Sequence, residues 1–161
     1  AVQGDGDALA SLVEPGSADL ILCHSVLEVV DEPARVVASI AAALRPGGAV
    51  SLLVASRAAA ILGRAINGHL RAAAALVTDP AGRAGPRDTL LRRYDADGAT
   101  TLLQAAGLTV EEVHGVRVVA DLLPAAVLEE DPQAALELEL QLSARPPFRD
   151  IASQLHLFAR S

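Results

Sequence analysis

The stretch from Ala18 to Ser56 constrains the fold of this chain more than any other. Leu20-Ile21-Leu22-Cys23 is continuously apolar, as expected of a parallel strand covered on both faces. Asp31-Glu32-Pro33 then reads as a helix start, with Asp31 suited to the N-cap and Pro33 tolerated in the first turn. Val36, Val37, Ile40, Ala41 and Leu44 share one helical face. Pro46-Gly47-Gly48 stops that helix, and Ala49 to Ser56 forms a second buried strand. Strand, helix and strand in this order make one right-handed βαβ crossover. The glycine pair follows a helix and precedes a strand, so it is a structural turn and not a ligand cradle. The loop after the first strand gathers Cys23, His24, Ser25 and Glu28, the densest polar chemistry in the chain.

The rest of the chain is placed around this unit. Ala1 to Asp7 reads as the end of a strand entering a turn. Gly4 and Gly6 do not make a dinucleotide loop, because no third glycine follows and Asp5 and Asp7 would repel a pyrophosphate. A short helix precedes Pro15-Gly16. Ser56 is suited to cap a helix through Leu70, interrupted at Asn67-Gly68-His69 and resuming from Ala72 to Val77. Thr78 to Tyr94 is a long loop containing Arg83, Arg87, Arg92 and Arg93. Asp95 or Asp97 opens a helix that Gly107 closes, Leu108 to Val119 is a strand bent at Gly115, Asp131 to Ser143 is a helix, and Gln154 to Arg160 is a last strand.

Composition excludes several function classes. With 161 residues the chain suits one domain. Aromatics are only 2%, so the core is built from Leu, Val, Ile and Ala. A net charge of −7 argues against a general nucleic-acid binder, which needs a basic footprint. All 13 basic residues are Arg, whose planar fork suits carboxylate or phosphate. The single Cys rules out an internal disulfide and fits a reducing, cytoplasmic compartment. No stretch has the pattern of a membrane span or a signal peptide, and the four His show no metal-ligand spacing. The lack of any Met, including at position 1, makes the chain read as a fragment.

With these elements placed, the chain resembles the C-terminal two-thirds of a class I S-adenosylmethionine-dependent methyltransferase. The residues that carry the resemblance are Gly4-Asp5, Asp19-Leu20-Ile21-Leu22-Cys23-His24 and Leu44-Arg45-Pro46-Gly47-Gly48. The resemblance implies an α/β, Rossmann-like sheet with helices on both faces and an antiparallel last strand. It also implies a single methyltransferase domain over residues 1–161 that lacks its first two strands and the glycine-rich loop. Such a fragment would be inactive alone. Its first strand would normally pair with the Leu20–Cys23 strand, leaving that edge exposed and open to self-association.

A narrower resemblance is to the bacterial methyltransferases that esterify the carboxylate of a modified wobble uridine in tRNA. It rests on His24-Ser25-Val26-Leu27-Glu28, on Gly115-Val116-Arg117-Val118 with Asp121, and on Leu136-Glu137-Leu138-Glu139 through Pro147 to His156. The resemblance implies S-adenosyl-L-methionine as cofactor, with Asp5 and Gly6 near its adenine and His24 along its methionine end. A carboxylate acceptor is already ionised at neutral pH, so no catalytic base is assigned. The acceptor needs a cation to hold it in line, and Arg117 is the candidate clamp. The bland reading of Arg117 is a strand residue paired with Glu111 or Glu112. Asn67 and Tyr94 would line the acceptor side, with a plain surface role as the alternative. For a hydroxyl or amine acceptor, His24 would become the general base. Two other functions stay open: a methyltransferase of small metabolites, and a non-catalytic scaffold on the same fold.

Overall fold

The computed structural model describes residues 3–4 and 9–161. The expected first strand, together with Asp5 and Gly6, lies outside the described residues except for Gln3 and Gly4. The elements run α1 (Leu9–Leu12), β1 (Ala18–His24), α2 (Pro33–Ala43), β2 (Leu44–Ala55), α3 (Arg57–Ile66), α4 (Leu70–Thr78), α5 (Ala96–Ala105), β3 (Thr109–Val116), α6 (Ala125–Glu130), α7 (Pro132–Ser143), a 3-10 turn (Phe148–Ile151) and β4 (Gln154–Arg160).

The βαβ unit forms, but its helix ends at Ala43 and the second strand starts at Leu44, so Pro46-Gly47-Gly48 lies within β2 and Leu44 pairs with Ala18 in place of extending the helix. β1 pairs in parallel with β2, matching Leu20 with Ala49 through His24 with Leu53. α2 begins at Pro33, but its N-cap is Glu32 and makes no side-chain capping bond, so Asp31 does not cap it. The Asp31 carbonyl instead accepts from Arg92. Gly47 has φ 76°, and a Cβ on Gly48 would lie 2.9 Å from the carbonyl oxygens of Ala18 and Arg45. The pair therefore lets the chain reverse against the start of β1.

The sheet has the order β1-β2-β4-β3, with β4 antiparallel to both neighbours. The inward faces of β2 and β4 supply Val50, Leu52, Val54, Leu155 and Leu157 to the core. There they meet Val36, Val37 and Ile40 of α2 and Leu103 of α5. Small aliphatic contacts replace aromatic bulk throughout. β1 is an edge strand, and its alternate residues Leu20 and Leu22 are 54% and 63% exposed.

Helix punctuation follows local chemistry. Ser56, Asp95 and Asp131 each accept a capping bond from the backbone three residues on. α3 and α4 are separate helices, divided at Asn67-Gly68, where Gly68 has φ 78°. β3 stops at Val116, earlier than the alternation to Val119 implies, because Arg117 turns left-handed at φ 61°. A Cβ on Gly115 would come within 2.7 Å of the Ala152 Cβ and the Arg149 carbonyl, so this glycine lets the 3-10 turn lie against the strand.

Candidate functional site

In an open α/β sheet, ligands meet the chain beyond the carboxyl ends of the parallel strands. At that edge this protein gathers His24 and Ser25 from β1, Ala55 and Ser56 from β2, Arg117 from beyond β3, and Ser153 and Gln154 leading into β4. Ser25 (φ 54°) and Arg117 (φ 61°) are the described non-glycine residues in the left-handed region, and each directly follows or nearly follows such a strand end. Backbone strain of this kind concentrates where the chain must present particular groups.

Beside this edge lies an open cleft of about 540 Å³, lined by residues that include Ser56, Arg64, Asn67, His69, Arg93 and Ser153. Asn67 donates from its amide to the Gly63 carbonyl at 2.7 Å as it closes α3. Arg64 donates to the Ala60 carbonyl and makes no ion pair among the described residues. Arg117 pairs with Asp121, and its own carbonyl accepts from the Ser153 amide at 3.2 Å. Asp121 in turn accepts from the Ser153 hydroxyl. Arg117 is thus tied to the cleft-lining Ser153 through its carbonyl and through Asp121, and its guanidinium is held by Asp121 and not by Glu111 or Glu112; Glu111 pairs with Arg160.

Tyr94 sits differently. Its ring packs against the core, and its hydroxyl donates to the Leu27 carbonyl at 3.4 Å. Burial pushes its pKa up to about 12, so the phenol stays protonated. The backbone of Tyr94 joins the end of β2, donating to the Ala55 carbonyl and accepting from Arg57.

Arg87 of the arginine-rich loop is exposed, but Arg92 and Arg93 do not form a solvated basic patch. Arg92 spans the carbonyls of Leu27, Val30 and Asp31, tying the loop to the turn after β1. Arg93 forms a two-pronged pair with Asp88. These two guanidinium groups are spent on folding a segment of irregular backbone.

Two buried groups were underweighted by sequence reasoning. Glu28 is 3% exposed, accepts from the Ala55 amide at 2.6 Å through Oε1, and leaves Oε2 without a partner. A carboxylate inside Val26-Leu27-Glu28-Val29-Val30 was the available signal. His24, exposed at the end of β1, shares the hydroxyl of Ser51 with His156. Cys23 is a small buried core residue, its thiol pushed up to about 11, chiefly by burial and then by Glu28.

Among the described residues no group of three or more His, Cys, Asp or Glu is arranged to hold a metal ion. No helix there is long and apolar enough to cross a membrane.

This sheet order and cleft edge are those of a class I, Rossmann-like methyltransferase fold. A structure of an S-adenosylmethionine-dependent methyltransferase from Mesorhizobium loti superposes with TM-score 0.58 at 20% identity, covering 99% of this chain and 68% of that one. A possible histamine N-methyltransferase from Thermotoga maritima gives TM-score 0.58 at 14% identity, over 99% of this chain and 62% of that one. Residues 4–113 match the family model described as a methyltransferase domain, and the chain belongs to that family. It is also 31% identical over 145 residues to the tRNA 5-carboxymethoxyuridine methyltransferase of Escherichia coli strain K12, covering 88% of this chain. The chain spans 54% of that relative's length.

The cofactor of this fold is S-adenosylmethionine. The exposed His24 ring, with Nδ1 free of described partners, and the exposed Ser25 hydroxyl present polar atoms at the strand end. Such polar atoms are of the kind that would hold one side of the cofactor's amino-acid end.

Proposed function

We propose that this chain forms part of an S-adenosylmethionine-dependent methyltransferase whose acceptor is an anionic oxygen, specifically the carboxylate of a modified wobble uridine in tRNA. The observation that carries the anionic acceptor is Arg64, a cleft-lining guanidinium with no ion pair among the described residues. Arg117, bonded through its carbonyl to the cleft-lining Ser153, is offered as a second cation. The tRNA assignment draws on the similarity to the Escherichia coli enzyme.

The cofactor supplies an electrophilic methyl on a sulfonium, and the chain's work is alignment. An ionised carboxylate needs no proton removed. It needs a fork that fixes both oxygens while one approaches the methyl in line. Arg64 and Arg117 serve that purpose and Asn67 adds a polar wall, while Tyr94 supports the cleft only through its backbone bonds to Ala55 and Arg57. Asp5 and Gly6 would hold the adenine side. No group in this arrangement is required to act as a base.

The exposed edge of β1 is read as the place where a further strand of a complete domain pairs, or where a second copy associates. The cytoplasm suits both the free thiol and the acceptor.

A small anionic metabolite is the second reading. It is favoured by Arg92 and Arg93, which face inward and leave fewer cations for a polyanion. Labelled cofactor offered with the full-length protein to bulk tRNA and to a small-molecule extract separates the two. Label in RNA supports the wobble carboxylate; label only in the extract replaces it with a metabolite. Label in neither, with no cofactor binding, leaves the non-catalytic scaffold.

A further inference from the structure

Three histidines lie in one row across one face of the sheet. His24 of β1 is matched with Leu53 of β2, Leu53 with His156 of β4, and His156 with His114 of β3. Matched residues share a face. Ser51, two residues before Leu53, stands on the same face between the first two rings. Its Oγ is 2.9 Å from His24 Nε2 and 2.7 Å from His156 Nε2. It is 8% exposed and has no other hydrogen-bond partner among the described residues.

A serine hydroxyl carries one hydrogen and two lone pairs. Two nitrogens at hydrogen-bond distance from it cannot both be bare, because one hydrogen cannot serve both. If both carried protons, the buried hydroxyl hydrogen would have no acceptor. The satisfied arrangement has one Nε2–H donating to Ser51 and Ser51 donating to the other Nε2. Among neutral rings, one is then the Nε2–H tautomer and the other the Nδ1–H tautomer.

We propose that Ser51 and His156 form a hydrogen-bonded relay that ties the ring tautomer of His24, at the end of β1, to the opposite tautomer of His156. His24 thereby presents either a bare Nδ1, an acceptor, or an Nδ1–H, a donor, to whatever lies beyond the strand. Ser51 and His156 are positioning residues in this scheme, and they never meet the ligand. What His24 faces rests on the cofactor reading above; the relay itself does not.

The surroundings of His156 strengthen the coupling. Burial, His114 of β3 and His24 of β1 all oppose its charging, in that order, and Glu112 of β3 favours it. A ring that takes up a proton must donate through Nε2, which forces the other to accept.

The test is the ¹⁵N spectrum of the histidine rings in the full-length protein, at a pH above their titration, without cofactor. Opposite tautomers for His24 and His156 are expected. Ser51→Ala is expected to remove that opposition, with both rings reverting to the solvent-averaged mixture, and Ser51→Thr, which keeps the hydroxyl, to restore it. His24→Gln is expected to raise the titration of His156 toward the ordinary histidine value. Matching tautomers in the parent protein, or a His24 ring unmoved by Ser51→Ala, overturn the relay. A separate calorimetric titration with S-adenosylmethionine reports on the cofactor reading alone. Absence of heat there removes the ligand beyond His24 and leaves opposite, Ser51-dependent tautomers as full support for the relay.

Discussion

Arg93 and Asp88 meet as a buried, two-pronged ion pair, Nη1 to Oδ2 at 2.6 Å and Nη2 to Oδ1 at 2.9 Å, with side chains only 7% and 2% exposed. Asp88 also accepts from the amides of Ala84 and Leu90, and Arg93 donates to the Gly82 carbonyl. One pair thus organises a loop that contains no helix or strand.

The hydrogen bond from Arg93 holds the Asp88 carboxyl well below the usual carboxylate range. A depressed folded-state pKa gives stability that is complete above the unfolded value of about 4 and is lost as pH falls below it. Urea unfolding across pH 2 to 7 should show this acid limb, and Asp88→Asn should flatten it. Removing one partner of a buried pair should also cost about 3–5 kcal/mol at neutral pH.

Glu28 should be needed for its acceptor oxygen and not for its charge. Glu28→Ala strands the Ala55 amide and should cost about 1–3 kcal/mol. Glu28→Gln keeps an oxygen for that amide and should lose less. Equal losses in denaturant melts would assign the role to the charge.

Arg64→Ala should raise the KM for the anionic acceptor by about 10-fold or more, the scale of a lost charged hydrogen bond. Arg64→Lys should recover part of it, since a point charge replaces a fork. Folding should be unaffected, because the described Arg64 contact is within its own helix. Initial-rate kinetics with labelled cofactor decide this.

Gly115→Ala should destabilise by about 1–3 kcal/mol, because the new methyl meets Ala152 and the Arg149 backbone at 2.7 Å. Thermal melts read it directly. In the same experiment Cys23, buried with its thiol pushed up to about 11, should resist alkylation at pH 8 until the chain unfolds.

Much of the architecture was legible in local pattern. The apolar run before Cys23, the helical face from Val36 to Leu44 and the glycine turn defined a βαβ unit because each depends on neighbours in sequence. The caps at Ser56, Asp95 and Asp131 were legible for the same reason. The helix Ala125–Glu130 was missed, since its short run has no capping side chain. His24 ends β1 as its place in the sequence implied, whereas Arg117, expected inside the last stretch of a strand reaching Val119, lies just beyond the end of β3 at Val116.

What the chain's sequence determined by itself was the order of elements, the identity of the buried faces and the family those imply. Periodicity and capping act over a few residues, so they survive without a tertiary context. The tertiary structure alone decided how the polar groups are spent. Arg92 and Arg93 look like a basic patch in sequence and become struts for loop carbonyls. Glu28 is sealed against Ala55, while Arg64, unremarked in its helix, is left to line the cleft. Ser51 joins rings 27 and 105 residues away. Such pairings depend on which strands the sheet brings side by side, and that is a property of the folded whole.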